Sequence, residues 1–137
     1  MIMKVAIRYF TRSGNTKKLA DAIGKTVGVE AKEVSAPLEE PVDILFLGSS
    51  VYAAGVDDAV KRFIADNHDK IGTLYNFSTA ALISSTYKQI QKIAAAQGVK
   101  VAQEEFHCRG SFAMMHKGHP NQEDLNGAAV FAKKICE

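Results

Sequence analysis

The sequence of 137 residues has no tryptophan, three prolines and only two cysteines. Two thiols, Cys108 and Cys136, cannot build a disulfide framework, and no Cys-x-x-Cys pair is present, so both are read as free thiols. No apolar run approaches the ~20 residues that span a bilayer. The opening Met1-Ile2-Met3-Lys4-Val5 lacks the basic region, apolar run and cleavage site of a secretory leader. A cytoplasmic protein without a membrane span is therefore expected. Nor does one sign of charge dominate: 17 Lys and Arg stand against 15 Asp and Glu, a formal charge of +2. With no basic stripe and no RNA-binding aromatic motif, nucleic acid is not an expected partner. Linkers, internal repeats and low-complexity tracts are also missing, so residues 1–137 read as a single domain.

What is present is an ordinary core-forming composition, 47% hydrophobic and 23% charged, arranged as strand-like runs alternating with amphipathic helices. Residues 1–10 form a β-rich run. Leu19, Ala20, Ile23 and Val27 then share one helical face, which Gly28 closes. Residues 29–34 read as a short strand, and Pro37 and Pro41 punctuate the loop after it. Residues 42–48 (Val-Asp-Ile-Leu-Phe-Leu-Gly) have no polar face, as expected of a central parallel strand. Asp57 can cap a helix whose core face is Val60, Phe63 and Ile64. A strand over 73–77 precedes a helix bearing Ile90, Ile93 and Ala94, and residues 99–107 read as the last strand. Asn121 caps a final helix with Leu125, Ala128, Ala132 and Ile135 inward. Five strands and four helices in this alternation predict an α/β fold: a doubly wound parallel sheet covered on both faces, with strand order 2-1-3-4-5 chosen among the possible topologies. Ligands of such sheets bind beyond the carboxyl ends of the strands, where the winding reverses. The loops after the first, third and fourth strands are therefore the ones to search.

The first of these is Thr11-Arg12-Ser13-Gly14-Asn15-Thr16. The hydroxyls of Thr11, Ser13 and Thr16 and the amide of Asn15 can donate hydrogen bonds. Gly14 permits a tight turn that aims backbone N–H groups at an anion, and the following helix contributes its N-terminal partial charge. Both Gly-x-x-x-x-Gly-Lys-Ser/Thr and Gly-x-Gly-x-x-Gly are absent, so a monophosphate suits this loop better than a triphosphate or pyrophosphate.

The strand-Thr-x-Ser-Gly-Asn-Thr-helix segment resembles the phosphate loop of the flavodoxin family, and the likeness extends over nearly the whole chain. It implies a flavodoxin-like sheet that binds flavin mononucleotide (FMN). By that resemblance the second loop, with Ser49, Ser50, Val51, Tyr52, Ala53 and Ala54, runs beside the flavin ring. Tyr52 would pack on one ring face. Ala53 stands where the family often has glycine, so a peptide flip toward flavin N5 meets a Cβ. The third loop, Ser78, Thr79, Ala80, Ala81 and Leu82, resembles the segment that bonds the pyrimidine edge. It lacks the outer-face aromatic that many members carry, the nearest aromatic being Tyr87. The resemblance implies an electron-transfer flavoprotein working with a redox partner protein. The alternative it leaves open is an FMN-dependent oxidoreductase, a quinone reductase or protoporphyrinogen-dehydrogenase-like enzyme, acting on a small flat substrate. The slightly basic charge implies a less negative final reduction potential than in an acidic relative.

Other signals are weaker. His107, Cys108, His116 and His119 are potential metal ligands, but successive strand residues point to opposite faces and no paired zinc spacing exists, so no metal site is expected. Asp57-Asp58 reads as a helix start and Glu104-Glu105 as strand or surface charge. No catalytic residue is assigned. Residues 108–120 are expected to be a loop in which Phe112, Met114 and Met115 stand beside Arg109, His116 and Lys117, an apolar-basic surface suited to a partner or substrate.

Overall fold

A computed structural model describes residues 3–12, 14–51, 56–80, 85–109, 118 and 120–137. The chain alternates β1 (Val5–Tyr9), α1 (Asn15–Val27), β2 (Ala31–Glu33), β3 (Val42–Val51), α2 (Asp58–Asn67), β4 (Ile71–Ala80), α3 (Tyr87–Ala96), β5 (Lys100–Val101), β6 (Phe106–Arg109) and α4 (Gln122–Cys136). The strand order β2-β1-β3-β4-β5 matches the expected order, and all pairings are parallel. The fold is the flavodoxin-like doubly wound sheet.

Alternation along the strands sorts the core into two layers. On one face Ile7, Tyr9, Phe46 and Phe77 pack with Leu19, Ala20 and Ile23 of α1 and with Ala128 and Ala132 of α4. On the other, Leu45, Leu47 and Leu74 pack with Val60, Phe63 and Ile64 of α2 and with Ile90 and Ala94 of α3. These are the helix faces that the 3.6-residue spacing marks out. The helix ends follow the sequence as well. Gly28 closes α1 in the left-handed region, Asp57 accepts from Ala59 N, and Asn121 forms a capping box with Asp124.

Three features depart from the sequence expectation. β3 runs on to Val51, so Ser49, Ser50 and Val51 belong to the strand and not to the loop after it. β4 likewise extends from Ile71 to Ala80 and contains Ser78 and Thr79. The last strand is split, so the described residues form six strands and not five. β5 pairs with Thr73 and Leu74, β6 pairs with Phe77 to Ala80, and residues 102–105 lie opposite only Tyr75 and Asn76. The extra residues number two, an even insertion, so β6 resumes with its alternation intact. Gln103, Glu104 and Glu105 account for the break, because charged and amide side chains fit poorly in a strand covered on both faces. Cys108 and Arg109, expected in a loop, form the end of β6.

Candidate functional site

Sheet winding reverses between β1 and β3, and the chain leaving β1 there is tied down at once: Phe10 N donates to Gly48 O at 3.0 Å. Thr11 follows, half-buried, with its Oγ1 accepting from Gly14 N at 2.9 Å. Gly14 has φ +89° and is the N-cap of α1, where it offers no side-chain acceptor to the helix. An L side chain rarely adopts that φ, so the turn requires glycine. α1 thus starts at the carboxyl end of β1 with its N-terminal partial charge directed into the loop. No acidic residue sits in its first turn.

Behind this turn the site is close-packed. Asn15 and Thr16 are buried. The Thr16 and Thr79 hydroxyls are 3.0 Å apart and hydrogen-bonded, joining the first loop to the end of β4. A Cβ on Gly48 would lie 2.3 Å from Phe77 Cε2 and 2.9 Å from Thr16 Cγ2. Glycine at 48 is therefore what lets α1 and the Phe77 ring close over the end of β3. On the same sheet face, two residues beyond Gly48 and register-paired with Thr79, is Ser50. Its hydroxyl is buried and has no hydrogen-bond partner among the described residues. A buried unsatisfied hydroxyl is costly unless something else supplies the partner.

The opposite sheet face holds a closed polar network. Ser49 Oγ donates to Thr86 Oγ1 at 2.9 Å, Asn76 Nδ2 donates to the same oxygen at 3.1 Å, and Thr86 N lies 3.4 Å from Ser78 Oγ as donor. All four residues are buried. They lock the ends of β3 and β4 to the start of α3. At the outer edge, Ser85 Oγ donates to Glu105 at 2.5 Å, and Tyr87 OH donates to Ala102 O at 2.9 Å. The strand break thus holds the exit of the third loop.

Arg12 extends away from the turn and donates to Asp57 Oδ2 at 2.9 Å. The Ala59 N–H, and secondarily the Arg12 guanidinium, hold the Asp57 carboxyl below its ordinary range. Burial pushes the Cys108 thiol up to about 12. Cys108 packs against the α1/α4 core while neighbouring His107 is exposed, so the two side chains diverge as strand alternation requires. Among the described residues no cluster of three or more His, Cys, Asp or Glu is arranged to hold a metal. No helix among them is long and apolar enough to cross a membrane. A cavity of about 420 Å³ opens beside Phe10, Val34 and Phe63, on the α2 face, and none of the described residues assigned to the three loops lines it.

Of the sequence-assigned site residues, Thr11, Arg12, Gly14, Asn15, Thr16, Ser49, Ser50, Ser78 and Thr79 thus gather at the carboxyl ends of β1, β3 and β4. Val51 and Ala80 are the register-paired last residues of β3 and β4. Ser13, Tyr52, Ala53, Ala54, Ala81 and Leu82 lie outside the described residues, as do Phe112, Met114, Met115, His116 and Lys117. Three residues that sequence reasoning passed over organise the site: Thr86, Asn76 and, through its close approach, Gly48. Asn76 was the legible signal, an amide between Tyr75 and Phe77 inside a strand.

Comparison with known proteins bears on the fold and the family. An uncharacterized protein of Methanocaldococcus jannaschii is 27% identical over 150 residues, covering 98% of this chain and 99% of its own. A flavodoxin from the domain Archaea superposes with a TM-score of 0.79 at 17% identity, over 98% of this chain and 96% of that one. A Lactobacillus acidophilus flavoprotein in complex with FMN gives a TM-score of 0.63 at 18% identity, over 79% and 93% of the two chains. At such identities the structural likeness speaks for the fold alone. The family description "Flavodoxin domain", however, matches residues 6–118. The chain belongs to the flavodoxin-domain family.

Proposed function

We propose that this protein binds FMN at the carboxyl ends of β1, β3 and β4 and transfers electrons through it to a partner protein in the cytoplasm. The observation that carries the proposal is the start of α1. A 13-residue helix begins at the winding reversal with a left-handed glycine as its N-cap and no side-chain acceptor on that cap. Such an end stabilises an anion by its N–H groups and its dipole, and a phosphomonoester suits it. Thr11, Ser13, Asn15 and Thr16 supply the surrounding hydroxyl and amide groups.

The residues present fit the group in a second respect. The Ser50 hydroxyl, without a partner among the described residues, is a buried donor and acceptor on the phosphate-loop side of the sheet, where a polar ligand atom would satisfy it. Tyr52, Ala53 and Ala54 continue from Val51 and would flank the ring. Ala80, Ala81 and Leu82 would follow its pyrimidine edge. Bound FMN supplies the redox chemistry itself, and the chain's task is to bind, orient and shield it.

The test is titration of the purified protein with FMN, followed by flavin fluorescence and visible absorbance. Saturable quenching near one FMN per chain is expected. Its absence would leave a doubly wound domain without an assigned ligand. One observation favours the second reading, an FMN-dependent oxidoreductase acting on a flat substrate. The hydroxyl of Tyr87, the nearest aromatic after the third loop, is committed to Ala102 O. An uncovered outer ring face would admit a substrate. Turnover of NAD(P)H or a quinone, against one-electron exchange without turnover, separates the two.

A further inference from the structure

Alternation along β1 sends Ala6 and Arg8 to the α2 face, and Phe10 continues that row. Phe10, Val34, Pro37 and Phe63 line the cavity of about 420 Å³ between α2 and residues 33–37. Its walls are tied together. Leu38 N donates to Asn67 Oδ1 and Asn67 Nδ2 donates to Phe63 O, each at 2.9 Å, which fastens the loop to the end of α2. The volume falls toward the lower end of the ~300–1,000 Å³ typical of small-molecule pockets. The charge around this groove is unbalanced. Arg8 is 6% exposed and stands behind the loop wall, with Nε donating to Ala36 O at 2.9 Å and Nη2 to Pro37 O at 3.1 Å. Those carbonyls satisfy donors but carry no net charge. Burial works against the guanidinium, and Glu39 offsets that only from a distance. On the facing wall Arg62 is exposed and has neither a hydrogen bond nor an ion pair among the described residues. Glu33 pairs in register with Tyr9, whose ring lies in the α1/α4 layer, so its carboxylate is directed to that other face. Asp66, one turn beyond Arg62, is the acid left to the groove.

We propose that this groove binds a small apolar monocarboxylate, with its acid group on Arg62 in the field of Arg8 and its aliphatic or aromatic body on Phe10, Val34 and Phe63. Two guanidinium groups against one carboxylate favour an anion over a cation. A guanidinium fork matches a carboxylate in shape as well as in charge. The apolar floor contributes burial of the body. A second negative charge on the ligand would meet Asp66, which is why one acid group fits better than two. Arg62 is solvent-accessible, so its share of the affinity is modest and screened by salt.

Amide chemical shifts of the isotope-labelled protein test this, with phenylacetate and hexanoate as the acids and their amides as neutral controls. Both acids should give saturable shifts centred on residues 33–37 and 59–67. Each acid should bind about five-fold more tightly than its amide, the upper scale of an exposed ion pair. High salt should narrow that gap. Arg62→Gln should remove most of the preference, and Asp66→Asn should tighten the acids about two-fold. Both positions are exposed, so the fold tolerates the changes. No saturable shift with either acid overturns the proposal, as does equal binding of acid and amide in the wild type. A preference that survives Arg62→Gln intact overturns it too, and so do saturable shifts centred on the start of α1 in place of the groove. The measurement needs no flavin, so its outcome is independent of the FMN reading.

Discussion

The two ends of the site solve opposite problems. At the start of α3, Ser49, Asn76, Ser78 and Thr86 are buried and bonded to one another. That end is a finished interior, and its polar groups serve to hold β3, β4 and α3 in register. At the start of α1, the turn relies on a glycine with φ +89° and the cap contributes no side chain. The Ser50 hydroxyl beside it lacks a partner among the described residues. The first end supplies rigidity and the second supplies unspent hydrogen-bonding capacity. A binding site on a rigid sheet needs both, since donors are selective only when their frame does not move.

The comparison breaks most readily at the closed end. Thr86→Val removes the oxygen that accepts from both Ser49 and Asn76 and leaves two buried donors unmet. Unfolding free energy in urea should fall by about 2–3 kcal/mol. A loss below about 0.5 kcal/mol, the scale of a surface change, would mean that the network is not what stiffens this end. Next in size is Gly48→Ala, which places a methyl group against the Phe77 ring and the Thr16 methyl. Phe77 is fully buried and has nowhere to swing. Overpacking of this kind costs about 1–3 kcal/mol. Phe77→Leu in the same chain should recover part of that loss, and a double-mutant cycle measures how much.

How much of this was legible in the sequence follows from the range of the forces involved. Helix faces and caps are local, and the spacing of Val60, Phe63 and Ile64 or the Asn121-to-Asp124 box is written within one or two turns. The central strand was legible because four consecutive apolar residues at 44–47 admit few other readings. The first loop was legible because Gly14 and its hydroxyl neighbours are adjacent in the chain. What stayed hidden depends on distant partners. Ser49 and Ser78 have low strand preference, and only Thr86, supplied by α3, makes their burial affordable. No local pattern announces that pairing. The split of the last strand was half-written: Gln103, Glu104 and Glu105 are poor residues for a covered strand, yet the resumption at Phe106 depends on pairing with Phe77. The Arg12–Asp57 link spans 45 positions of the chain.

At the open end, Gly14→Ala sharpens the contrast because, beyond the adjoining chain, no atom of the described residues lies within 4 Å of the added methyl. Its cost is conformational only, about 1–2 kcal/mol for forcing an L residue to positive φ. Affinity should respond more selectively than stability. FMN binding should weaken while riboflavin binding changes little, since only the phosphate relies on this turn. Equal losses for both ligands would mean that the turn supports the ring as well.

The smallest effect concerns pH and reports on the α1/α4 side of the sheet. Cys108 pairs in register with Thr79 and packs toward α1 and α4. Burial raises its thiol from 9.0 to about 12. A group that holds its proton more tightly when folded stabilises the fold below its unfolded pKa, and that contribution is lost as pH rises through the folded one. Stability should therefore decline from about pH 9 toward 12 as the unfolded chain ionises first. Tyr9 and Tyr75, also raised by burial, add to the decline from about pH 10. Cys136 is raised by burial too, so Cys108→Ala should flatten the early part of the limb without abolishing it. Urea unfolding at stepped pH distinguishes the cases. An unchanged slope between pH 9 and 10 in Cys108→Ala would show that water reaches this thiol and that the β4–β6 edge opens more readily than its packing implies.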